Sequence, residues 1–264
     1  MRVGVVGASG YALSNYYFDP AYAKAPDWRA LAQFIHARQQ PGDLVIQNFT
    51  EMSPIYYQGG TLPVITVPKG YFAKPADAKT LQQFNQDYRR IWFIPAAPDL
   101  WDPDHFVEKY LTRFDDRELD TRVAQFGVQL YLTPRGFASE IIPLNVPVGN
   151  AVLDGYRVRG LDAHALRAPR GATLPVVLYW RVEQPIDKDF SVFVQLVDAN
   201  GRVVARQESA PADGTYPTSQ WHTGDLVVDA HELKADVAPG TYSLVAGMDG
   251  VAANVPLSQV TITQ

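Results

Sequence analysis

The sequence predicts a two-part fold, a small three-layer α/β (Rossmann-like) domain followed by an immunoglobulin-like β-sandwich. Apolar helical stripes alternate with short apolar strands over residues 27–131, whereas strand-like runs separated by Gly, Pro, Asp and Asn follow residue 143. The length of 264 residues suits two ordinary domains. We therefore predict an α/β domain over residues 21–143 and a sandwich over residues 144–264, with residues 1–20 as the end of a membrane span or a linker.

The α/β prediction begins with a helix after Asp27, a residue type that caps helix N-termini. Apolar residues then recur at the i, i+3, i+4 and i+7 spacing of one helical face: Trp28, Leu31, Ala32 and Ile35. Strands are predicted at 44–46, 62–67 and 90–94, with one or two more within 121–133. Three further helices are predicted. The first begins near Ser53, the second carries Leu81, Phe84 and Tyr88 on one face, and the third begins at Pro103. This alternation favours a parallel sheet covered on both faces.

The second half is predicted to contain about seven strands in roughly 115 residues, a spacing typical of an immunoglobulin-like sandwich. A hairpin turn is expected at residues 198–201, where Asp, Ala, Asn and Gly follow one another. The predicted strands cover residues 152–158, 174–182, 190–197, 202–206, 226–233, 241–248 and 255–263.

Composition excludes several classes of function. The chain has 23 Lys and Arg against 28 Asp and Glu, a net charge of −5, so it lacks the basic surplus that nucleic-acid binding needs. It has no cysteine, which excludes disulfides, thiolate zinc sites and cysteine nucleophiles. Motifs for a serine nucleophile elbow or a phosphate-binding P-loop are absent. We expect no nucleic-acid partner and no cofactor.

Residues 3–18 carry no charge but are shorter than a membrane helix requires. They look like the last turns of a membrane span that ends in Tyr16, Tyr17 and Phe18, aromatic residues suited to the lipid–water boundary. Membrane attachment through the N-terminus follows from this interpretation. A buried first strand and turn is an equally favoured alternative.

Three glycines near the N-terminus allow another interpretation. Gly4, Gly7 and Gly10 follow a candidate strand and are similar to the start of N-acetyl-glutamyl-phosphate reductases and other short-chain Rossmann enzymes. The similarity covers about twelve residues, and the break at Asp19-Pro20 leaves little room for the helix that must hold a pyrophosphate. An NAD-dependent enzyme is therefore the weaker alternative.

Two candidate sites follow from the predicted fold. In an open parallel sheet, ligands bind at the carboxyl ends of the strands, where we expect Asn48, Glu51, Tyr56, Lys69 and Asp99. A purely structural sheet explains the same residues equally well. The acidic residues near 99–104 and 115–118 are expected chiefly to cap helices and turns.

The second candidate is the loop DGTYPTSQWHTGD of the sandwich. Tyr216, Trp221 and His222 lie there, and exposed aromatic rings on a β-sandwich can stack on the apolar face of a sugar. The alternative is that the tryptophan packs beneath its own loop. Two histidines, His222 and His231, lie near acidic residues, for which structural hydrogen bonding is favoured over a metal site.

Several stretches resemble one family when they are taken together in order. These are YYFDPAYAKAPDWRALAQFI, PGDLVI, YYQGGTLPV, WDPDHFVEKYL, LYWRVEQPIDKDFSVFVQLVDANGRVVAR, YPTSQWHTGDLVVDAHEL and PGTYSLVAGM, over about residues 16–250. They resemble the C-terminal, extracytoplasmic part of bacterial protein O-mannosyltransferase-like (family 39-like) membrane glycosyltransferases of the Chloroflexi type. None of these stretches is a catalytic signature.

The resemblance implies a location outside the cytoplasmic membrane and in association with it. In that family, acidic residues of the first extracytoplasmic loop transfer sugar from a polyprenyl-phosphate donor, and no residue of this chain matches that loop. We therefore expect a non-catalytic accessory module that binds a glycan or a membrane-protein partner. A structural subunit of a membrane or cell-surface assembly is the alternative.

Overall fold

The computed structural model describes residues 26–95, 101–162, 164–251 and 254–264. The helices are α1 (Trp28–His36), α2 (Met52–Gln58), α3 (Pro75–Asp87) and α4 (Phe106–Phe114). The strands of the first half are β1 (Asp43–Gln47), β2 (Val64–Thr66), β3 (Arg90–Ile94), β4 (Asp116–Val123) and β5 (Phe126–Leu132). Those of the second half are β6 (Ile142–Val148), β7 (Ala151–Val158), β8 (Leu166–Pro169), β9 (Thr173–Val182), β10 (Val192–Val197), β11 (Val203–Ser209), β12 (Leu226–Lys234), β13 (Gly240–Met248) and β14 (Val255–Thr263).

The first half contains one mixed sheet of strand order β2-β1-β3-β5-β4. Strand β1 runs parallel to β2 and β3, whereas β5 is antiparallel to both β3 and β4. The parallel sheet expected from the alternation of helices and strands is present for β1, β2 and β3, whereas β4 and β5 join it in antiparallel orientation. Val123 pairs with Phe126, so only two residues join β4 to β5, and so short a connection forces an antiparallel hairpin.

Helices cover both faces of this mixed sheet. On one face Leu31 and Ile35 of α1 share a buried cluster with Val45 and Trp92. On the other face, buried residues of α3 and α4 cluster with alternate strand residues: Leu81, Phe84, Leu111, Phe114, Leu44, Ile46 and Phe93. Both faces of β1 and β3 are buried, which explains why residues 44–46 and 91–94 of these strands are continuously apolar rather than alternating.

The second half contains two further sheets, of order β11-β10-β13-β14-β8 and β12-β9-β7-β6. Their pairing is antiparallel except between β14 and β8. All seven predicted strands are present, and the described residues contain two more, β6 and β8. The molecule is thus rich in β-structure distributed over several sheets.

The two halves pack together through one continuous core. Strand β12 is an edge strand of the four-stranded sheet, and side chains from the first half bond its free backbone groups. Gln82 accepts from the Val228 amide at 2.9 Å and donates to the Val228 carbonyl at 3.2 Å. Arg113 donates to the Ala230 carbonyl at 2.7 Å. Across the described ranges, no helix has the length and apolarity to cross a membrane.

Candidate functional site

Two of the residues predicted for the sheet-end site, Asn48 and Glu51, make hydrogen bonds that stabilise the local backbone. Asn48 is buried, and its side-chain amide donates to the Trp101 carbonyl at 3.3 Å. Glu51 caps α2, because its carboxylate accepts from the Ser53 backbone N–H at 3.0 Å and from the Ser53 hydroxyl at 2.8 Å. Those hydrogen bonds lower the pKa of Glu51. Both residues follow β1 closely in the chain, and their hydrogen bonds give them local structural roles.

Of the other three residues predicted for this site, two are exposed and one lies outside the described residues. The Tyr56 side chain is 77% exposed on α2, and Lys69 is exposed on the connection that follows β2. Asp99 lies outside the described residues, as do Gly4, Gly7 and Gly10 and the aromatic residues at 16–18. In the same acidic run, Asp102 accepts from the Phe106 and Val107 amides at 2.8 and 3.1 Å, which confirms capping as its role.

Tyr56 is one of several large apolar side chains that are exposed on the connections at this end of the mixed sheet. Six large apolar side chains on the connections after β1, β2 and β3 are exposed, and we call them the aromatic rim: Met52, Ile55, Tyr56, Tyr71, Phe72 and Trp101. The Tyr71 and Phe72 rings meet edge to face, with centroids 4.7 Å apart. The Asp102 amide donates to the Tyr71 carbonyl at 3.3 Å, which joins two of the connections. Sequence reasoning found only Tyr56, although the adjacent aromatic pairs in these loops were a usable signal.

The described chain also begins at this end of the sheet. The Asp27 amide donates to the Gln125 side chain at 3.0 Å, and the Trp28 and Phe126 rings lie 4.1 Å apart. Gln125 is in the β4–β5 turn, and β5 runs antiparallel to β3, so this turn lies beyond the carboxyl end of β3. The residues that precede 26 therefore join the described fold at the end that carries the aromatic rim.

The predicted sugar platform in the sandwich loop is wrong. Tyr216 is only 2% exposed and Trp221 only 1%, so neither ring presents a face to solvent. The Trp221 indole N–H donates to the Tyr216 carbonyl at 2.9 Å, and its ring lies 6.5 Å from that of Trp180. Burial raises the pKa of Tyr216, whose hydroxyl donates to Asp225. The alternative holds instead, because the tryptophan packs beneath its own loop.

The two histidines near that loop have different surroundings. The His222 side chain is 68% exposed, and its Nδ1 lies 3.1 Å from the Lys79 ammonium. His231 is fully buried, with Nε2 2.9 Å from Asp229 and Nδ1 against Gln207. This is the structural hydrogen bonding that the sequence favoured. In the ranges described, His, Asp and Glu nowhere form a group of three that could hold a metal ion.

A cavity of about 330 Å³ lies between α4 and the turn at residues 211–215, where the two halves meet. We call it the junction cavity. Three aromatic residues of α4 line it, with four charged side chains and a hydroxyl: Phe106, Tyr110, Phe114, Asp104, Lys109, Arg113, Asp213 and Thr215. Sequence reasoning missed this cavity because its residues come from segments about 100 positions apart.

Comparison with known proteins adds little to this geometry. No protein-family model matches the chain, and no curated protein sequence matches it. Among solved structures, the crystal structure of the C-terminal domain of wzt matches with a TM-score of 0.34 and 18% sequence identity. That match covers 47% of this chain and 79% of the other chain.

Proposed function

We propose that this protein is a non-catalytic extracytoplasmic accessory module, related to membrane glycosyltransferases that use polyprenyl-phosphate sugars, and that its aromatic rim rests on the membrane surface. In this proposal residues 21–143 form a small Rossmann-like three-layer domain and residues 144–264 an immunoglobulin-like sandwich. The partner is the membrane-embedded part of such an enzyme. The observation that carries the proposal is the concentration of exposed apolar side chains at one end of the mixed sheet.

The chemistry of the aromatic rim suits a lipid–water boundary. Trp and Tyr side chains are enriched at membrane interfaces because they combine an apolar ring with a polar group. Two exposed lysines, Lys69 and Lys74, lie on the same connections as the rim and would attract anionic headgroups. The other exposed large apolar side chains of the described residues, Leu161, Val203 and Leu226, belong to the second half. The rim is a patch of the kind that marks an interaction surface.

The N-terminal sequence supports the same orientation. Residues 3–18 are uncharged and resemble the end of a membrane span, and the described fold begins at the end that carries the rim. The eight residues at 19–26 can extend over at most about 28 Å. A membrane anchor at residue 18 would therefore hold the rim close to the bilayer.

Binding to lipid vesicles tests the proposal. The full chain is mixed with vesicles of phosphatidylethanolamine and phosphatidylglycerol, and the bound fraction is measured by sedimentation. A Tyr71→Ser/Phe72→Ser double variant should bind at least about tenfold more weakly, since burial of each ring in the interface is favourable. The matched control is Leu161→Ser/Val203→Ser, which removes exposed apolar side chains of the second half and should bind like the wild type. Equal binding by the rim variant and the wild type would refute the proposed orientation.

The partner is tested in the source cells by immunoblotting of membrane and soluble fractions. We expect the chain in the membrane fraction, recovered together with a membrane glycosyltransferase or as a larger polypeptide that includes one. Recovery of the chain in the soluble fraction alone would refute the accessory role.

A further inference from the structure

The junction cavity combines an aromatic wall with fixed and free hydrogen-bonding groups. The rings of Phe106 and Tyr110 lie 6.2 Å apart, and those of Tyr110 and Phe114 lie 4.7 Å apart. Phe106 is only partly buried, so part of its ring borders the cavity. The volume of about 330 Å³ falls within the range of small-molecule sites, which often lie where two parts of a protein meet.

The carboxylate of Asp213 is bound by Arg113 at the wall of this cavity. Arg113 donates to it at 2.8 Å and to Glu232 also at 2.8 Å, while a third guanidinium N–H binds the Ala230 carbonyl. Because Arg113 also bonds Glu232 and the Ala230 carbonyl, its guanidinium has a defined position from which it orients the half-exposed Asp213 carboxylate. The result is a preformed hydrogen-bond acceptor at the cavity wall.

The backbone beneath Asp213 has an unusual conformation. Ala212 and Asp213 are consecutive non-glycine residues in the left-handed region, with φ of 50° and 52°. Such residues persist only where their surroundings over-determine them, and they concentrate at functional sites. Here Asp229, which is fully buried, accepts from the Ala212 amide at 3.0 Å, and Arg113 holds the next residue from the other side.

A free hydrogen-bond donor lies on the same cavity. Lys109 is exposed and lines the cavity one helical turn after Phe106. Its ammonium makes no hydrogen bond or ion pair with another residue in the parts of the chain described. Asp104 and the Thr215 hydroxyl add further polar groups. The cavity therefore presents acceptors, a cationic donor and an apolar ring within one small volume.

We infer that the junction cavity binds a saccharide unit, whose apolar ring face packs on Phe106 while its hydroxyls donate to Asp213 and accept from Lys109. A pyranose has both features, an apolar face and hydroxyls that donate and accept. A purely apolar ligand would remove water from the charged groups without replacing its hydrogen bonds. An anion would be repelled by the carboxylates of Asp104 and Asp213. This inference is independent of the aromatic rim, which lies on other connections.

The test uses the full chain and named sugars. Methyl glycosides of glucose, mannose, galactose and N-acetylglucosamine are titrated to millimolar concentrations, and backbone amide resonances of Lys109, Asp213 and Thr215 are followed by NMR. Sorbitol is the control ligand, because it carries hydroxyls but has no rigid ring face. We expect at least one glycoside, and not sorbitol, to shift these three resonances.

Two variants connect the shifts to the cavity. Lys109→Ala should weaken binding about tenfold, the scale of a lost hydrogen bond to a charged group, while Lys234→Ala, an exposed lysine of β12, should bind like the wild type. Asp213→Gly removes the carboxylate but suits the left-handed backbone, so the variant should stay folded and lose detectable binding.

The remaining outcomes overturn the inference. If no glycoside shifts the three resonances, or if sorbitol shifts them equally, the cavity does not bind a saccharide unit. Unchanged affinity in a folded Asp213→Gly protein would equally exclude the assigned geometry. None of these results affects vesicle binding, so the failure of this inference is distinguishable from failure of the proposed membrane orientation.

Discussion

Asp115 is a carboxylate buried at the junction of the two halves, and its oxygens have no hydrogen-bond partner of ordinary geometry among the described residues. Burial raises its pKa well above the ordinary value. The guanidinium groups of Arg159 and Arg157 and the Asn85 amide act in the opposite direction, whereas the Asp116 carboxylate adds to the effect of burial. Burial of this kind favours the protonated form of a carboxyl group.

Replacing Asp115 by Asn tests this environment. Because the folded pKa of Asp115 lies above the unfolded value of 3.8, the stabilisation by its proton is complete below that value and is lost as pH rises through the folded pKa. Asp115→Asn cannot ionise. The free energy of unfolding of the variant relative to the wild type should therefore increase with pH. The increase is about 1.4 kcal/mol per pH unit between the unfolded value of 3.8 and the folded pKa. Urea unfolding between pH 4 and pH 8 measures the difference. A difference that is constant with pH would contradict the assignment.

The predicted sugar platform shows where sequence reasoning about single residues fails. Trp221 lies in a loop with Gly, Pro and Ser neighbours, which indicates exposure when only the local sequence is considered. Its burial results from contact with Trp180, which is 41 positions earlier in the chain. No local pattern encodes that contact. The same limit applies to Asp213, whose partner Arg113 comes from the other half.

At the scale of elements, the sequence predicts most of the fold. Strand β3 covers the predicted residues 90–94, and α1 follows its apolar stripe from Trp28. The two strands that were missed lack such a signal. Strand β6 contains Pro143 and Pro147, residues that argue against a strand, and β8 has only four residues. Periodicity thus predicts long elements with a regular apolar pattern and overlooks short or proline-containing ones.

Strands β1 and β3 are joined by a buried ion pair as well as by their ladder. Arg90 donates to the two Asp43 carboxylate oxygens at 2.8 and 2.7 Å, and the Trp92 indole N–H donates to the same group at 2.9 Å. The Asp43 side chain is fully buried and that of Arg90 nearly so. The carboxylate also accepts from the Gln40 amide at 3.0 Å, which fixes the turn that precedes β1.

Asp43→Ala should therefore destabilise the protein by about 3 to 5 kcal/mol, because it leaves the Arg90 guanidinium buried without its partner. Urea unfolding at neutral pH measures this loss. The double variant Asp43→Leu/Arg90→Met is the control, since it replaces both charges by apolar groups and should recover much of the lost stability. A loss below about 1 kcal/mol for Asp43→Ala would show that the pair behaves like an exposed salt bridge.

At the scale of the whole molecule, the first half covers an exposed sheet edge of the second half. Edge strands expose unpaired backbone groups and promote association with other chains unless they are covered. Here α3 and α4 cover the free edge of β12, with Gln82 and Gln86 bonding the backbone of Val228 and Leu226. Lys79 of α3 adds an ion pair of 3.4 Å with Asp225, just before the strand. The first half therefore covers the edge of the four-stranded sheet, and we expect the two halves to unfold as one cooperative unit.

Gln82→Leu tests this coupling. The substitution keeps a helix-forming side chain of similar size but leaves the buried N–H and C=O of Val228 without partners, which should cost about 2 to 4 kcal/mol. Gln83→Leu is the matched control, because Gln83 is exposed and, among the described residues, its side chain bonds only Asp87 of its own helix. Urea unfolding measures the loss, and hydrogen exchange at Val228 should accelerate in the Gln82 variant alone. If the two variants proved equally stable, the edge of β12 would not depend on α3, and the two halves would be coupled through their apolar core alone.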